Sequence, residues 1–149
     1  MLCVDDNYGL AFNGRRQSRD REVLEDMLRL SGKCRIWMAP ESAALFALPE
    51  LTAVLETNGF PSDKLQVDKN FLKQAKAGEY CFAEKFDSTE ETIRERVEEL
   101  ILYHWNRTYP ADMHLQWDFT DYSLEDTVEF SGYSHEKITR ERYVKGMKE

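Results

Sequence analysis

Short apolar runs alternate with helix-like stretches over the first two thirds of the chain, and this alternation most constrains the fold. Apolar runs typical of buried strands recur at residues 1–4, 34–38, 65–67 and 80–83. An apolar stripe with helical spacing follows the first run and is made by Val23, Leu24, Met27, Leu28 and Leu30. Strands that alternate with helices predict an α/β fold with parallel strand pairing.

The last third of the chain has a different pattern. Residues 113–119 alternate apolar and polar side chains, which predicts a half-exposed strand, and further strands are predicted at residues 100–105, 128–130 and 137–144. Ser88 and Glu91 have the spacing of a helix-capping box ahead of the strand at 100–105. We therefore expect one α/β domain over residues 1–149. It would be a sandwich with a mixed, mostly parallel central sheet, flanking helices and antiparallel C-terminal strands.

Charge and cysteine usage narrow the classes of partner and compartment. The net charge of −8 disfavours nucleic acid, which needs a basic surface, and no long apolar segment predicts a membrane span. Each of the three cysteines (Cys3, Cys34 and Cys81) lies in an apolar run and suits a buried, reduced thiol. A cytoplasmic location is expected, and the sequence leaves the oligomeric state open.

One polar segment, residues 5–20, is the best candidate binding site. Residues 7–17 are rich in turn-forming residues and predict a loop that lies beyond the carboxyl end of the first strand, where ligands bind in α/β sheets. Arginine side chains suit carboxylate or phosphate groups. The predicted ligand-binding residues are Asp5, Asp6, Asn13, Arg15, Arg16, Gln17 and Asp20. The alternative is that the arginines of residues 15–21 pair with Asp5, Asp6, Asp20 and the acidic helix at residues 90–99 and only fix the loop.

Other candidate sites are weaker. A metal site would need the side chains of His104, Asp112, His114 and Asp118 to lie close together. The alternative is that these polar residues lie on the solvent-exposed face of a strand. His135 follows a turn at Gly132 and is expected at the surface, with acid–base catalysis as the alternative. The sequence contains no Gly-x-Ser-x-Gly motif and no glycine-rich phosphate loop. These observations leave open whether the protein is an enzyme.

The segment from Asp5 to Gly14 resembles the opening of dihydrofolate reductase, in which a first strand leads through Asp and a Gly-Leu pair to Asn-Gly. Further similarities follow in the same order along nearly the whole chain. They are Met38 with Ser42, Leu102-Tyr103, Ala111-Asp112 before residues 113–115, and the closing strand at 137–144. The resemblance implies a dihydrofolate reductase-like fold and a site for substrate and nicotinamide beside residues 5–20.

Departures from that family change the expected function. The Leu-Pro-Trp of the family is replaced by Arg15-Arg16-Gln17. The arginine that holds cofactor phosphates is replaced by Pro40. The Gly-Gly that lets pyrophosphate approach the backbone is replaced by Glu84-Lys85. Asp20 is the nearest counterpart of the acid that assists pterin protonation, and Glu22 is the next. NADP is therefore disfavoured as a cofactor.

We expect a ligand-binding protein without reductase activity, which takes an anionic or nucleotide- or pterin-like ligand at residues 5–20. An NADPH-dependent reductase of a pterin-like substrate is one alternative. A protein-interaction module that uses an acidic helix at residues 90–99 is another.

The chain also resembles a group of short bacterial proteins of unknown role, through segments such as RRQSRD, YPAD and SHEKITRE. Some members are called ribonuclease Z. That activity needs a cluster of His-x-His-x-Asp-His type, whereas this sequence has three scattered histidines. The ligand chemistry therefore contradicts that name.

Overall fold

The computed structural model describes residues 1–146. The chain forms two compact units, the first made of Met1–Arg19 with Glu84–Glu149 and the second of Asp20–Ala83. The expectation of one domain over residues 1–149 stays a prediction.

The strands are β1 (Leu2–Val4), β2 (Gly9–Phe12), β3 (Arg15–Arg16), β4 (Ile36–Met38), β5 (Leu65–Val67), β6 (Tyr80–Phe82), β7 (Glu99–His104), β8 (Met113–His114), β9 (Tyr122–Phe130) and β10 (Ile138–Lys145). The helices are α1 (Arg21–Ser31), α2 (Pro40–Ala43), a 3-10 helix (Ala44–Ala47), α3 (Pro49–Thr57), α4 (Phe71–Gln74) and α5 (Glu91–Arg94).

The first unit is built on a mixed four-stranded sheet in the order β1-β7-β10-β9. Strand β1 runs parallel to β7, whereas β10 is antiparallel to both of its neighbours. The central strand β7 has an almost continuous apolar sequence, as a strand covered on both faces requires, and Leu102 and Tyr103 are fully buried. A smaller sheet, β3-β2-β8, is antiparallel throughout.

The second unit combines α1 with a parallel sheet in the order β5-β4-β6. Asp20 begins α1 because its side chain accepts a hydrogen bond from the Glu22 amide, and Gly32 ends the helix with φ 55°. The buried face of α1 consists of Val23, Leu24, Met27, Leu28 and Ser31. Ser31, rather than the predicted Leu30, completes this face.

Lys64 fixes the C-terminal end of α1 within the second unit. Its side chain is 1% exposed, and its ammonium donates hydrogen bonds to Ser31 Oγ at 2.8 Å, to Cys34 O at 3.0 Å and to Gly32 O. A cation that meets the free carbonyls at a helix C-terminus offsets the cost of its own burial. Burial lowers the pKa of Lys64 to about 8.

The predicted fold class is confirmed: helices, a mixed sheet and antiparallel C-terminal strands are all present. Strands predicted at residues 1–4, 34–38, 65–67 and 80–83 each contain an observed strand. The rest of residues 48–68, for which the sequence predicts no single element, holds α3. No helix within residues 1–146 is long and apolar enough to cross a bilayer.

Several local predictions are wrong for identifiable physical reasons. The loop predicted at residues 7–17 is a β-hairpin, β2–β3. Ser88 does not cap a helix, because its hydroxyl instead accepts a hydrogen bond from the Gln116 amide. The acidic helix predicted at residues 90–99 is reduced to α5, which is a single turn. The strand predicted over 113–119 is reduced to β8, which alone of that stretch pairs with β2. Cys34 is exposed rather than buried.

Candidate functional site

Asp5 is the organising residue of the predicted polar segment. It follows β1, is 1% exposed, and its Oδ1 accepts hydrogen bonds from the amides of Asn7 at 2.9 Å and Gly9 at 2.7 Å. Its Oδ2 accepts from the Tyr109 amide at 3.0 Å and from Gln17 Nε2 at 3.2 Å. Burial alone would raise the pKa of Asp5, but the four donors outweigh burial and hold this pKa below its ordinary value of 3.8.

Gly9 permits the close packing around Asp5. A Cβ atom built on Gly9 would lie 2.6 Å from Gln17 Nε2, 2.7 Å from Ala111 Cβ and 2.9 Å from Asp5 Oδ1. These distances leave no room for a side chain at position 9. The residue that resembles the glycine of the reductase opening is therefore required here by packing around a carboxylate.

Asn13 and Gly14 form the two-residue turn between β2 and β3. Their φ angles are 51° and 71°, and positive φ at both central residues is what a type I′ hairpin turn requires. The Asn13 amide donates to Asp112 Oδ2 at 3.0 Å, and Lys85 Nζ donates to Gly14 O at 2.7 Å. The rest of the first unit therefore anchors this turn at two points.

Arg16 forms a two-pronged ion pair with Glu84. Its Nε lies 2.5 Å from Oε2 and its Nη2 lies 3.0 Å from Oε1. The Glu84 side chain is 11% exposed and the Arg16 side chain 30% exposed, so the pair is partly shielded from water. The alternative drawn from the sequence expected acidic partners for these arginines. Arg16 has one, Glu84, which is not among the residues expected.

The remaining predicted residues differ in their surroundings. Arg15 is exposed, and its side chain makes no hydrogen bond or ion pair within residues 1–146. Asp6 is exposed and accepts a hydrogen bond from the Thr108 hydroxyl at 3.2 Å. Asp20 belongs to the second unit, where it begins α1. Direct contact among the predicted residues is shown for Asp5 and Gln17.

His135 is a buried residue that the sequence placed at the surface. It is 4% exposed, and its imidazole stacks on the Trp105 ring at 4.6 Å between centroids. Its Nε2 lies 2.9 Å from Tyr109 Oη and 3.1 Å from Ser18 Oγ. We call Ser18, Tyr109, Ser134 and His135 the hydroxyl–histidine cluster. No short motif in the sequence could have indicated it, since Ser18, Tyr109 and the Ser134-His135 pair are far apart in the chain.

The predicted metal ligands do not gather. His104 Nε2 contacts Glu141 Oε1, whereas Asp112 accepts from the Asn13 amide and His114 is exposed in β8. Within residues 1–146 no group of three or more His, Cys, Asp or Glu side chains could hold a metal ion.

Comparison with known proteins gives a structural match and no match in sequence. No protein-family model and no curated protein matches the chain. Among solved structures, dihydrofolate reductase from Enterococcus faecalis, complexed with NADP(H) and RAB-propyl, is similar with a TM-score of 0.63 and 11% sequence identity. The match covers 98% of this chain and 94% of that one. The chain therefore has a dihydrofolate reductase-like fold.

Proposed function

We propose that the protein binds a small anionic ligand, of nucleotide or pterin-like type, at residues 5–20 and does not transfer hydride. The observation that carries the proposal is Arg15, an exposed guanidinium without an ion-pair partner in residues 1–146 of a protein whose net charge is −8. It lies on a strand rather than on an open loop, since β3 pairs with β2. A fixed arginine fork favours recognition of phosphate or carboxylate.

The hairpin is held in place before any ligand arrives. Asp5 fixes its base through buried hydrogen bonds, and Asp112 and Lys85 fix its turn. When a segment is already ordered, less of the binding free energy is lost in ordering it. This rigidity supports binding at the hairpin.

The Arg16–Glu84 pair supports the absence of reductase activity. Glu84 stands where the resemblance implies a glycine that admits pyrophosphate, and its carboxylate is already matched to Arg16. A pyrophosphate at that position would meet a negative charge and a side chain in place of open backbone. The proposed ligand therefore engages Arg15 and leaves the ion pair intact.

Thermal unfolding tests the proposal with ATP, NADP+ and dihydrofolate as separate probes. A probe at 100 times its dissociation constant stabilises the folded state by about 2.7 kcal/mol, which raises the Tm of a chain of this size by roughly 5–10 °C. Arg15→Ala should abolish the shift. Lys33→Ala, an equal change of charge at an exposed position in the second unit, should retain it. Equal shifts in the wild type and Arg15→Ala would contradict the assigned site.

An NADPH-dependent reductase is the second candidate. The fold is similar, over 98% of this chain, to that of a protein that was complexed with NADP(H). Loss of absorbance at the reduced-nicotinamide band, dependent on both the protein and dihydrofolate, would favour it. In that case Glu84→Gly should increase turnover by opening the approach to the backbone. Absence of turnover in the wild type is the result that the binding proposal predicts.

A further inference from the structure

The hydroxyl–histidine cluster contains the parts of a nucleophilic site. We propose that Ser18 is a nucleophile activated by His135, for acyl transfer from a small carboxylic ester or thioester. This inference does not depend on the proposed binding at Arg15, since none of its atoms belongs to the hairpin. All of its residues lie in the first unit.

The distance between the nucleophile and the base supports the assignment. Ser18 Oγ lies 3.1 Å from His135 Nε2, within the range over which an imidazole removes a hydroxyl proton. Ser18 is half-buried, so part of the residue is open to solvent, whereas His135 is 4% exposed. A shielded base next to a reachable hydroxyl is the arrangement that serine acylation needs.

The contacts of Ser134 favour one tautomer of His135. The Ser134 hydroxyl donates to Arg19 O at 3.1 Å and lies 3.3 Å from His135 Nδ1. Because the one hydroxyl proton is directed at Arg19 O, the Ser134 oxygen accepts from Nδ1–H. Nε2 is then the unprotonated nitrogen, and it faces Ser18. Stacking on Trp105, with 22° between the ring planes, holds the imidazole in this orientation.

Tyr109 completes the cluster as a positioning residue. Its Oη lies 2.9 Å from His135 Nε2 and 3.4 Å from Ser18 Oγ. The Nε2 lone pair accepts one strong hydrogen bond, so the two hydroxyls compete for it. When Ser18 donates to Nε2, the Tyr109 hydroxyl is left to donate to Ser18 Oγ, and this contact holds Oγ in place beside Nε2.

The proposed step conserves atoms and charge. Ser18 Oγ forms a bond to the acyl carbon while its proton passes to His135 Nε2. The bond from the acyl carbon to the leaving oxygen or sulfur then breaks, and the leaving group takes that proton. Water repeats the sequence on the acyl-serine, releases the carboxylic acid and restores the Ser18 hydroxyl.

A charged neighbour indicates the class of ester. Arg19 follows Ser18 directly, is exposed, and its side chain has no ion pair within residues 1–146. A cation beside the nucleophile favours esters or thioesters that carry a negative charge on the acyl or leaving group.

The test is covalent labelling of the whole protein with a fluorophosphonate, which serine nucleophiles attack with loss of fluoride. Peptide mass spectrometry of the labelled wild type should place the phosphonate on Ser18. His135→Gln should lower the labelling rate by at least about 100-fold, the usual contribution of a positioned general base. Ser62→Ala, which removes an exposed serine of the second unit, should label at the wild-type rate.

Mapping the label on the wild type alone is decisive, because it needs no variant to fold. A phosphonate on any other residue, or no label while a standard serine esterase is labelled beside it, overturns the proposal. So does an unchanged rate in a folded His135→Gln protein. Hydrolysis of para-nitrophenyl succinate faster than para-nitrophenyl acetate, reversed in Arg19→Ala, would support the assigned class of ester.

Discussion

Asp5 shows how one buried carboxylate determines the local structure of the candidate site. Its two oxygens accept from donors at positions 7, 9, 17 and 109, so it joins the end of β1, the hairpin and a distant loop. In the structure its oxygens accept four hydrogen bonds from the protein itself. Ligand binding by Asp5 stays a prediction.

Replacing Asp5 by Asn should destabilise the protein and remove part of its acid sensitivity. Hydrogen bonds to a charged group contribute about 1.5–3 kcal/mol each, so we expect a loss of about 2–4 kcal/mol at neutral pH. The lowered pKa means that the carboxylate stabilises the fold fully above its unfolded value near 3.8 and loses this effect as pH falls through the folded value. Urea unfolding of both proteins between pH 6 and pH 2.5, with Asp6→Asn as control, measures this difference. Identical pH dependence in the two proteins would contradict the role given to Asp5.

Gly9→Ala should destabilise the protein by about 1–3 kcal/mol, as other forced overpacking does. The new Cβ would lie 2.7 Å from the Ala111 Cβ. Ala111→Gly in the same chain should recover part of the loss. Gly146→Ala is the matched control, because a Cβ there meets nothing closer than 3.6 Å. Equal Tm values for the Gly9 and Gly146 variants would show that the packing around Asp5 is looser than described.

Lys64→Met tests the buried cation of the second unit. Because the folded pKa of about 8 lies below the ordinary 10.5, the unfolded chain binds more protons between these values. The stability of the wild type relative to the variant should therefore rise as pH increases from 8 to 10. Urea midpoints of both proteins across this range report the difference. A difference that stays constant or falls would place the folded pKa at or above its ordinary value.

At the scale of elements, the hairpin β2–β3 shows where sequence patterns were informative and where they were misread. Asn-Gly is a strong signal for a hairpin turn, yet its flanks, β2 and the two-residue β3, are too short to show period-two alternation. Helix α1, by contrast, was predicted closely because its apolar stripe has helical spacing, and Asp20 and Gly32 then begin and end the helix. Ser88 was misassigned because its distant partner, the Gln116 amide, is invisible to local spacing.

The Arg16–Glu84 pair should contribute a coupling free energy between the hairpin β2–β3 and the segment that begins at Glu84. A double-mutant cycle with Arg16→Gln and Glu84→Gln should give a coupling of about 1–2 kcal/mol, since contacting charged residues typically couple by 0.5–3 kcal/mol. Because Glu84 is partly shielded from water, we expect its coupling free energy to exceed that of an ion pair exposed at the surface. The Arg21–Glu50 pair, whose side chains are 32% and 55% exposed, provides the comparison and should couple more weakly. Equal coupling energies would mean that burial adds nothing to the hairpin pair.

At the scale of the whole molecule, the fold could be predicted from the sequence although sequence comparison found no relative. The order of strands and helices, the opening segment and the closing strand each carried part of the resemblance, and the structural match at 11% identity agrees with it. The site was less accessible to sequence reasoning. Side-chain partners such as Glu84 for Arg16 and Tyr109 for His135 depend on tertiary contacts, which no local pattern encodes.

Binding at the hairpin is tested most directly by amide chemical shifts in a titration of the isotope-labelled protein with NADP+ and, separately, ATP. We expect at least one probe to shift the amides of residues 12–17 in a saturable manner. Arg15→Ala should remove these changes, and Lys33→Ala should keep them. No saturable change with either probe or with dihydrofolate, or changes confined to residues outside 5–20, would contradict binding at the hairpin.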